Sequence, residues 1–121
     1  MIALRRIGFL LISMVLVLSS TACSDNRAEA WQMINDGALL VDVRTQKEYN
    51  TGHLPGSKLI PIAEVDARIA EFGNDKSRPV VLYCASGGRA GKVKATLEAR
   101  GFTNVLNAGG YNAMITVMPV Q

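Results

Sequence analysis

The chemistry-bearing stretch of this sequence is Tyr83-Cys84-Ala85-Ser86-Gly87-Gly88-Arg89, a cysteine followed by four small residues and an arginine. Upstream stands Val80-Val81-Leu82-Tyr83, a short apolar and β-branched run that reads as a buried strand; downstream, Arg89 to Arg100 reads as a helix. A cysteine at the C-terminal end of such a strand faces the crevice where open α/β sheets bind ligands. The chain then turns into a helix within four residues, so unpaired backbone N–H groups and the positive end of the helix dipole point back at the sulfur. That environment favours thiolate over thiol and can bring a cysteine pKa from about 8.5 to well below 7.5. Gly87 and Gly88 allow the positive φ that a cradle of N–H groups usually requires. Local charge agrees, because Cys84 to Arg100 carries Arg89, Lys92, Lys94 and Arg100 against Glu98 alone. An isolated cysteine is by default a small buried hydrophobe. Strand, glycine loop, arginine and helix together point instead to a nucleophilic thiolate.

The elements that must position Cys84 alternate between strand-like and helix-like segments, as in a parallel-sheet α/β domain. Residues 28–36 predict a short helix ended by Gly37, and Leu39 to Val43 a buried strand. Thr45 is placed to cap a brief helix over 46–49, and Gly52 to Ser57 is turn chemistry. Leu59-Ile60 suggests a small strand. Ile62, Val65, Ile69 and Phe72, spaced three and four apart, predict one helix over 62–72. In the helix after Cys84, Ala90, Val93 and Leu97 are expected inward, and Lys92, Lys94, Thr96 and Glu98 outward, with Gly101 as the stop. Thr103 to Asn107 reads as the last strand, followed by a turn at Ala108-Gly109-Gly110 and a weakly helical end closed by Pro119.

Length and composition set the outer limits. A chain of 121 residues is one domain at most; 49% apolar and 19% charged residues exclude a disordered or collagen-like chain, and two cysteines exclude a disulfide-stapled miniprotein or a cysteine-rich zinc site. Basic residues outnumber acidic ones by 13 to 10, but Arg5 and Arg6 lie at the N-terminus ahead of the uncharged run Ile7 to Leu18. Those 12 residues are too short for a membrane span, which needs about 20, and fit the core of a secretory signal. Residues 1–22 are therefore read as a signal peptide with Ser20-Thr21-Ala22 as its exit. Removing 22 residues from 121 leaves 99, with 11 basic against 10 acidic groups, so no nucleic-acid partner is expected.

Cys23 directly follows that cut, and Leu18-Ser19-Ser20-Thr21-Ala22-Cys23 resembles the lipobox of bacterial lipoproteins, although Ser20 stands where leucine is preferred. Lipidation of Cys23 with anchoring at a membrane, soluble periplasmic export, and an uncleaved anchor are the three readings; each exported form faces an oxidising compartment.

Cys84-x-x-Gly87-x-Arg89 resembles the active-site loop of rhodanese-like sulfurtransferases. Leu40-Val41-Asp42-Val43-Arg44 with Glu48-Tyr49 and Gly52-His53-Leu54-Pro55-Gly56 resembles that family's N-terminal signature, and Asn104 to Gly110 its last strand and turn. The likeness spans roughly residues 28–118. It implies a rhodanese-like α/β domain: a small, mostly parallel sheet of about five strands flanked by helices. It also implies a reaction in which Cys84 attacks the outer sulfur of thiosulfate or a similar small-molecule donor and carries a persulfide, which cyanide or a thiol then accepts. Loop N–H groups that stabilise a thiolate equally stabilise an anionic persulfide. No metal or organic cofactor is needed, and a monomer is expected.

Phosphatases resembling rhodaneses have one residue more between cysteine and arginine, which widens the loop for phosphate. Here four residues, Ala85 to Gly88, favour sulfur as the atom held. Arg89 either binds the donor anion or braces the loop through hydrogen bonds to carbonyls, since a guanidinium suits both tasks. Ser86 either donates to the persulfide or serves as a turn residue.

Asp42 and Arg44, on the same crevice edge as Cys84, are second-rank site candidates; an Arg44–Glu48 ion pair or an Asp42-braced turn is the plainer reading. His53, the sole histidine, is read as structural because it lies within a turn, and Trp31 and Tyr49 are read as packing residues. A persulfide carrier or binding module is the main competing reading. A thiol–disulfide oxidoreductase is disfavoured by the lack of a Cys-x-x-Cys pair, and a phosphatase by the loop length.

Overall fold

Two strongly apolar segments, Leu39–Asp42 (β1) and Val80–Cys84 (β3), form the middle of a parallel sheet in a computed structural model that describes residues 25–120. The predicted signal peptide and Cys23 lie outside the described residues. Lys58–Leu59 (β2) and Val105–Gly110 (β4) complete the sheet in the order β2-β1-β3-β4, every pair parallel. The described sheet thus has four strands where about five were expected. All five residues of β3 are buried, as befits a central parallel strand covered on both faces.

Helices cover the two faces. Arg27–Asn35 (α1) and Tyr111–Thr116 (α4) lie on one, with Trp31, Leu40, Leu54, Val81, Tyr83 and Met114 as its core. Trp31 also donates its indole N–H to the Met114 carbonyl at 3.0 Å, which ties α1 to α4. Gly88–Ala99 (α3) covers the other face, and its Ala90, Val93 and Leu97 are buried at the predicted spacing. Strand alternation decides where the cysteine points: Val80, Leu82 and Cys84 join the α3 side, while Val81 and Tyr83 join the opposite cluster.

Two expectations are corrected. Residues 62–72 form two 3-10 turns, Ile62–Glu64 and Ile69–Phe72, rather than one helix. A 3-10 turn repeats every three residues, so the Ile62/Val65 and Ile69/Phe72 pairs meet the core from either local geometry, with Val65 and Phe72 buried. Periodicity over so few residues does not separate the two. The last strand also runs on to Gly110, through what reads as a turn, because a register shift opposite Leu82 to Cys84 sets Gly110 beside Cys84. Among the described residues no helix is long and apolar enough to cross a membrane.

Candidate active site

The short helix Gln46–Thr51 (α2), which follows β1, and the long helix α3, which follows β3, both start at the C-terminal edge of the sheet. Cys84 ends β3 at that edge and is 1% exposed. Gly87, at φ +96° in the left-handed region, is the N-cap of α3 and offers no side chain to its first N–H groups. The sulfur takes that place: Gly87 donates its N–H to Cys84 Sγ at 2.9 Å. Burial pushes the Cys84 thiol up, but the backbone N–H groups of Ala90, Ser86, Gly87 and Arg89 outweigh it, so its pKa lies below the ordinary thiol value. Amides converging on a buried sulfur favour its thiolate form, the form that acts as a nucleophile. Of the two glycines Gly87 uses the positive φ open to both; once it has turned the chain, Gly88 is the first residue of α3.

The loop is held from the β4 side. Asn107 donates its amide N–H to the Gly87 carbonyl at 2.9 Å and accepts the Gly109 N–H at 2.9 Å. A Cβ on Gly110 would collide with the Ala85 carbonyl, so only glycine lets β4 approach the loop this closely. Asn107 and Gly110 were legible in the sequence only as parts of a strand and turn. Nothing local marks them as neighbours of residues some twenty positions earlier.

Among the described residues Arg89 does not brace the loop carbonyls but turns to Glu48. Its two terminal nitrogens bind the two Glu48 oxygens at 2.7 and 2.9 Å, a bidentate ion pair at the crevice edge with each side chain about one-third exposed. Glu48 is set there by its own helix: as the third residue of α2 it forms a capping box with Thr45. Arg44 therefore does not pair with Glu48. It binds Asp42 instead, through Nε at 3.0 Å and Nη2 at 2.7 Å, while its backbone N–H donates to Asp42 at 2.9 Å. A separation of two residues lets Asp42 brace the turn and neutralise the guanidinium together, leaving Glu48 to Arg89.

Arg89 holds the Glu48 carboxyl down at about 2, against burial, with help from Thr45. Because that pKa is depressed from 4.5, the stabilisation it carries is complete above about pH 4.5 and lost as pH falls toward 2. Screening at a one-third exposed pair limits it to about 1 kcal/mol or less. Acid unfolding of Glu48→Gln should be correspondingly less steep between pH 4.5 and 2; an identical slope in both proteins would exclude the pair as a contributor.

Ser86 is exposed on the loop and lines the cleft beside Gly87 and Gly110. His53 stacks on Tyr49 at 3.6 Å between ring centroids, with Nδ1 2.9 Å from the Tyr49 carbonyl oxygen. Tyr49 in turn donates its hydroxyl to the Ser57 carbonyl. Among the described residues no three His, Cys, Asp or Glu side chains gather as a metal site requires.

Fold and site together define a parallel α/β domain that presents one cradled cysteine at the C-terminal edge of its sheet. The chain belongs to the rhodanese-like domain family, whose pattern it matches over residues 26–116. It is similar to the thiosulfate sulfurtransferase PspE of Escherichia coli (strain K12), 41% identical over 70 residues that cover 58% of this chain and 67% of that protein. A sulfurtransferase of Allochromatium vinosum is 37% identical over 75 residues, covering 62% and 68%. Among solved structures, a rhodanese with anions from E. coli superposes with a TM-score of 0.62 at 38% identity, over 68% of this chain and 94% of that one. Of other curated relatives the chain spans as much as 77% and as little as 24% of the length.

Proposed function

We propose that this protein is a sulfurtransferase of the thiosulfate:cyanide type, with Cys84 as the catalytic nucleophile and Ala85, Ser86, Gly87, Gly88 and Arg89 as the loop that receives the donor. The observation that carries this reading is the Gly87 N–H on Cys84 Sγ at 2.9 Å, at the mouth of a helix whose other free amides also lower the thiol. The thiolate attacks the outer sulfur of thiosulfate; the S–S bond of the donor breaks, sulfite leaves with the bonding pair, and Cys84 carries a persulfide anion. Cyanide then attacks the outer persulfide sulfur, thiocyanate leaves, and the thiolate returns. A thiol acceptor takes the same sulfur and yields a new persulfide. Both half-reactions balance without an external oxidant or reductant, and covalent storage predicts ping-pong kinetics.

The test uses purified protein with thiosulfate, reading intact mass for one added sulfur and then thiocyanate after cyanide addition. The expected result is a persulfide at Cys84 followed by many turnovers. An adduct without turnover would make the protein a persulfide carrier, and no adduct at all would leave the loop as a binding scaffold.

The remaining readings concern the N-terminus. Residues 1–22 act as an export signal, and the protein works in the periplasm, anchored by lipid if Cys23 is modified. Fractionation with lipid labelling of wild type and Cys23→Ser tests both; an unprocessed chain found in the cytoplasm would overturn the export reading. The domain is a monomer, which light scattering checks.

A further inference from the structure

We propose that Asn107 is the positioning residue that aims the Gly87 N–H at the Cys84 sulfur. The proposal rests on the thiolate chemistry assigned above and adds a residue to it. Three contacts hold the Gly87 residue. Its N–H faces the sulfur at 2.9 Å, and its carbonyl accepts both the first α3 hydrogen bond, from Gly91 at 2.9 Å, and the Asn107 amide at 2.9 Å. Helix formation alone supplies the Gly91 contact. The Asn107 contact comes from a different strand and ties the rotation of this residue to the sheet.

The other end of the carboxamide is also engaged, because Oδ1 accepts at 2.9 Å the N–H of Gly109, whose φ of +88° is left-handed. Only one orientation of the amide satisfies a carbonyl on one side and an N–H on the other. Asn107 is in turn fixed through its own carbonyl, which accepts the Asn26 side chain at the start of α1 at 3.2 Å. The fit is close: a Cβ on Gly87 would lie 3.1 Å from Gly109 Cα and 3.6 Å from Asn107 Oδ1. The Gly87 N–H therefore has little freedom to swing away from the sulfur while Asn107 is in place.

Aspartate at 107 would keep the bond to Gly109 but turn an oxygen toward the Gly87 carbonyl, and would bring a negative charge to the loop. Alanine would remove both contacts. Either change lets the Gly87 N–H drift, which weakens a hydrogen bond to the charged sulfur and raises the pH at which the thiolate forms. The surrounding charges are paired: Arg89 with Glu48 from α2, Asp42 with Arg44 at the end of β1, and Arg27 of α1 with Asp25. Strand β4 contributes no titratable side chain. Glu48 and Asp25 titrate at about 2, far below the range in question, and His53 sits on Tyr49 of α2.

The test measures the pH dependence of iodoacetamide alkylation at Cys84, read from the Cys84 peptide by mass spectrometry, in the full chain of wild type, Asn107→Asp and Asn107→Ala. The midpoint should move upward in both, further in Asn107→Asp, where the rate well below the midpoint falls about tenfold, the equivalent of one pH unit. At high pH all three should react at similar rates, which separates a shifted thiolate from a damaged fold. An unmoved midpoint in a folded variant would overturn the assignment, and so would failure of both variants to fold, which would make Asn107 a folding determinant. Alkylation needs no sulfur donor. A moved midpoint without sulfur transfer would therefore refute the functional reading alone, and an unmoved midpoint with active transfer would refute only Asn107.

Discussion

Cys84→Ser is expected to lose sulfur transfer by at least about a thousandfold, because among the described residues no second cysteine can take over the attack. Serine's hydroxyl is not deprotonated by a cradle that is sufficient for a thiol, and an alkoxide would be a far stronger base to generate. The fold should survive. The side chain is nearly isosteric, and its oxygen can accept the Gly87 N–H that now reaches the sulfur at 2.9 Å. Melting temperature should therefore fall by no more than several degrees, in line with the destabilisation of about 1 kcal/mol typical of single substitutions. Thiosulfate treatment should add no sulfur at position 84. A folded variant that still turns over thiosulfate at a tenth of the wild-type rate would show that the persulfide forms elsewhere.

Arg44→Ala should have the largest effect on stability. Asp42 is fully buried and Arg44 is 5% exposed, and their ion pair is closed by bonds from Arg44 to both Asp42 oxygens and to the Gly52 carbonyl at 2.7 Å. The guanidinium carbon lies 4.7 Å from the Tyr111 ring centroid and 5.6 Å from that of Tyr83, so its faces are occupied as well. Removing the arginine leaves a buried carboxylate without its cation, at a cost of about 3–5 kcal/mol. Solvent-screened surface pairs such as Arg27–Asp25 and Arg100–Asp66 contribute too little to offset it. For a domain of this size the melting temperature should fall by more than about 10 °C. The double variant Asp42→Asn/Arg44→Met should lose much less, because no unpaired charge remains. A loss below about 1 kcal/mol in Arg44→Ala would mean that water reaches Asp42 and that the pair is not buried in solution.

Much of the site was readable along the chain because its parts are close in sequence. The strand, the cysteine, the glycine that turns the backbone and the helix whose amides face the sulfur fall within Val80 to Ala99, and short-range geometry suffices to bring them together. The Thr45 cap was readable for the same reason, as a capping box acts over three residues. The parallel alternation of strands and helices followed from runs of apolar residues, whose burial on both sheet faces leaves little choice of partner.

Tertiary structure decided whatever depends on which groups meet across the sheet. Arg89 had two plausible uses in isolation; β1 and β3 pair side by side, so α2 and α3 start next to each other and Glu48 claims the guanidinium. With Glu48 taken, Arg44 turns to Asp42, two residues away. The register shift between β3 and β4 brings Gly110 and Asn107 against the loop, and no local pattern around 107–110 encodes that contact. Sequence alone thus determined the cysteine and the strand–loop–helix unit that cradles it, because a helix start directs its amides by local geometry. Only the folded sheet determined the partners that hold the unit in place, because strand order and register join residues that the chain keeps twenty to forty positions apart.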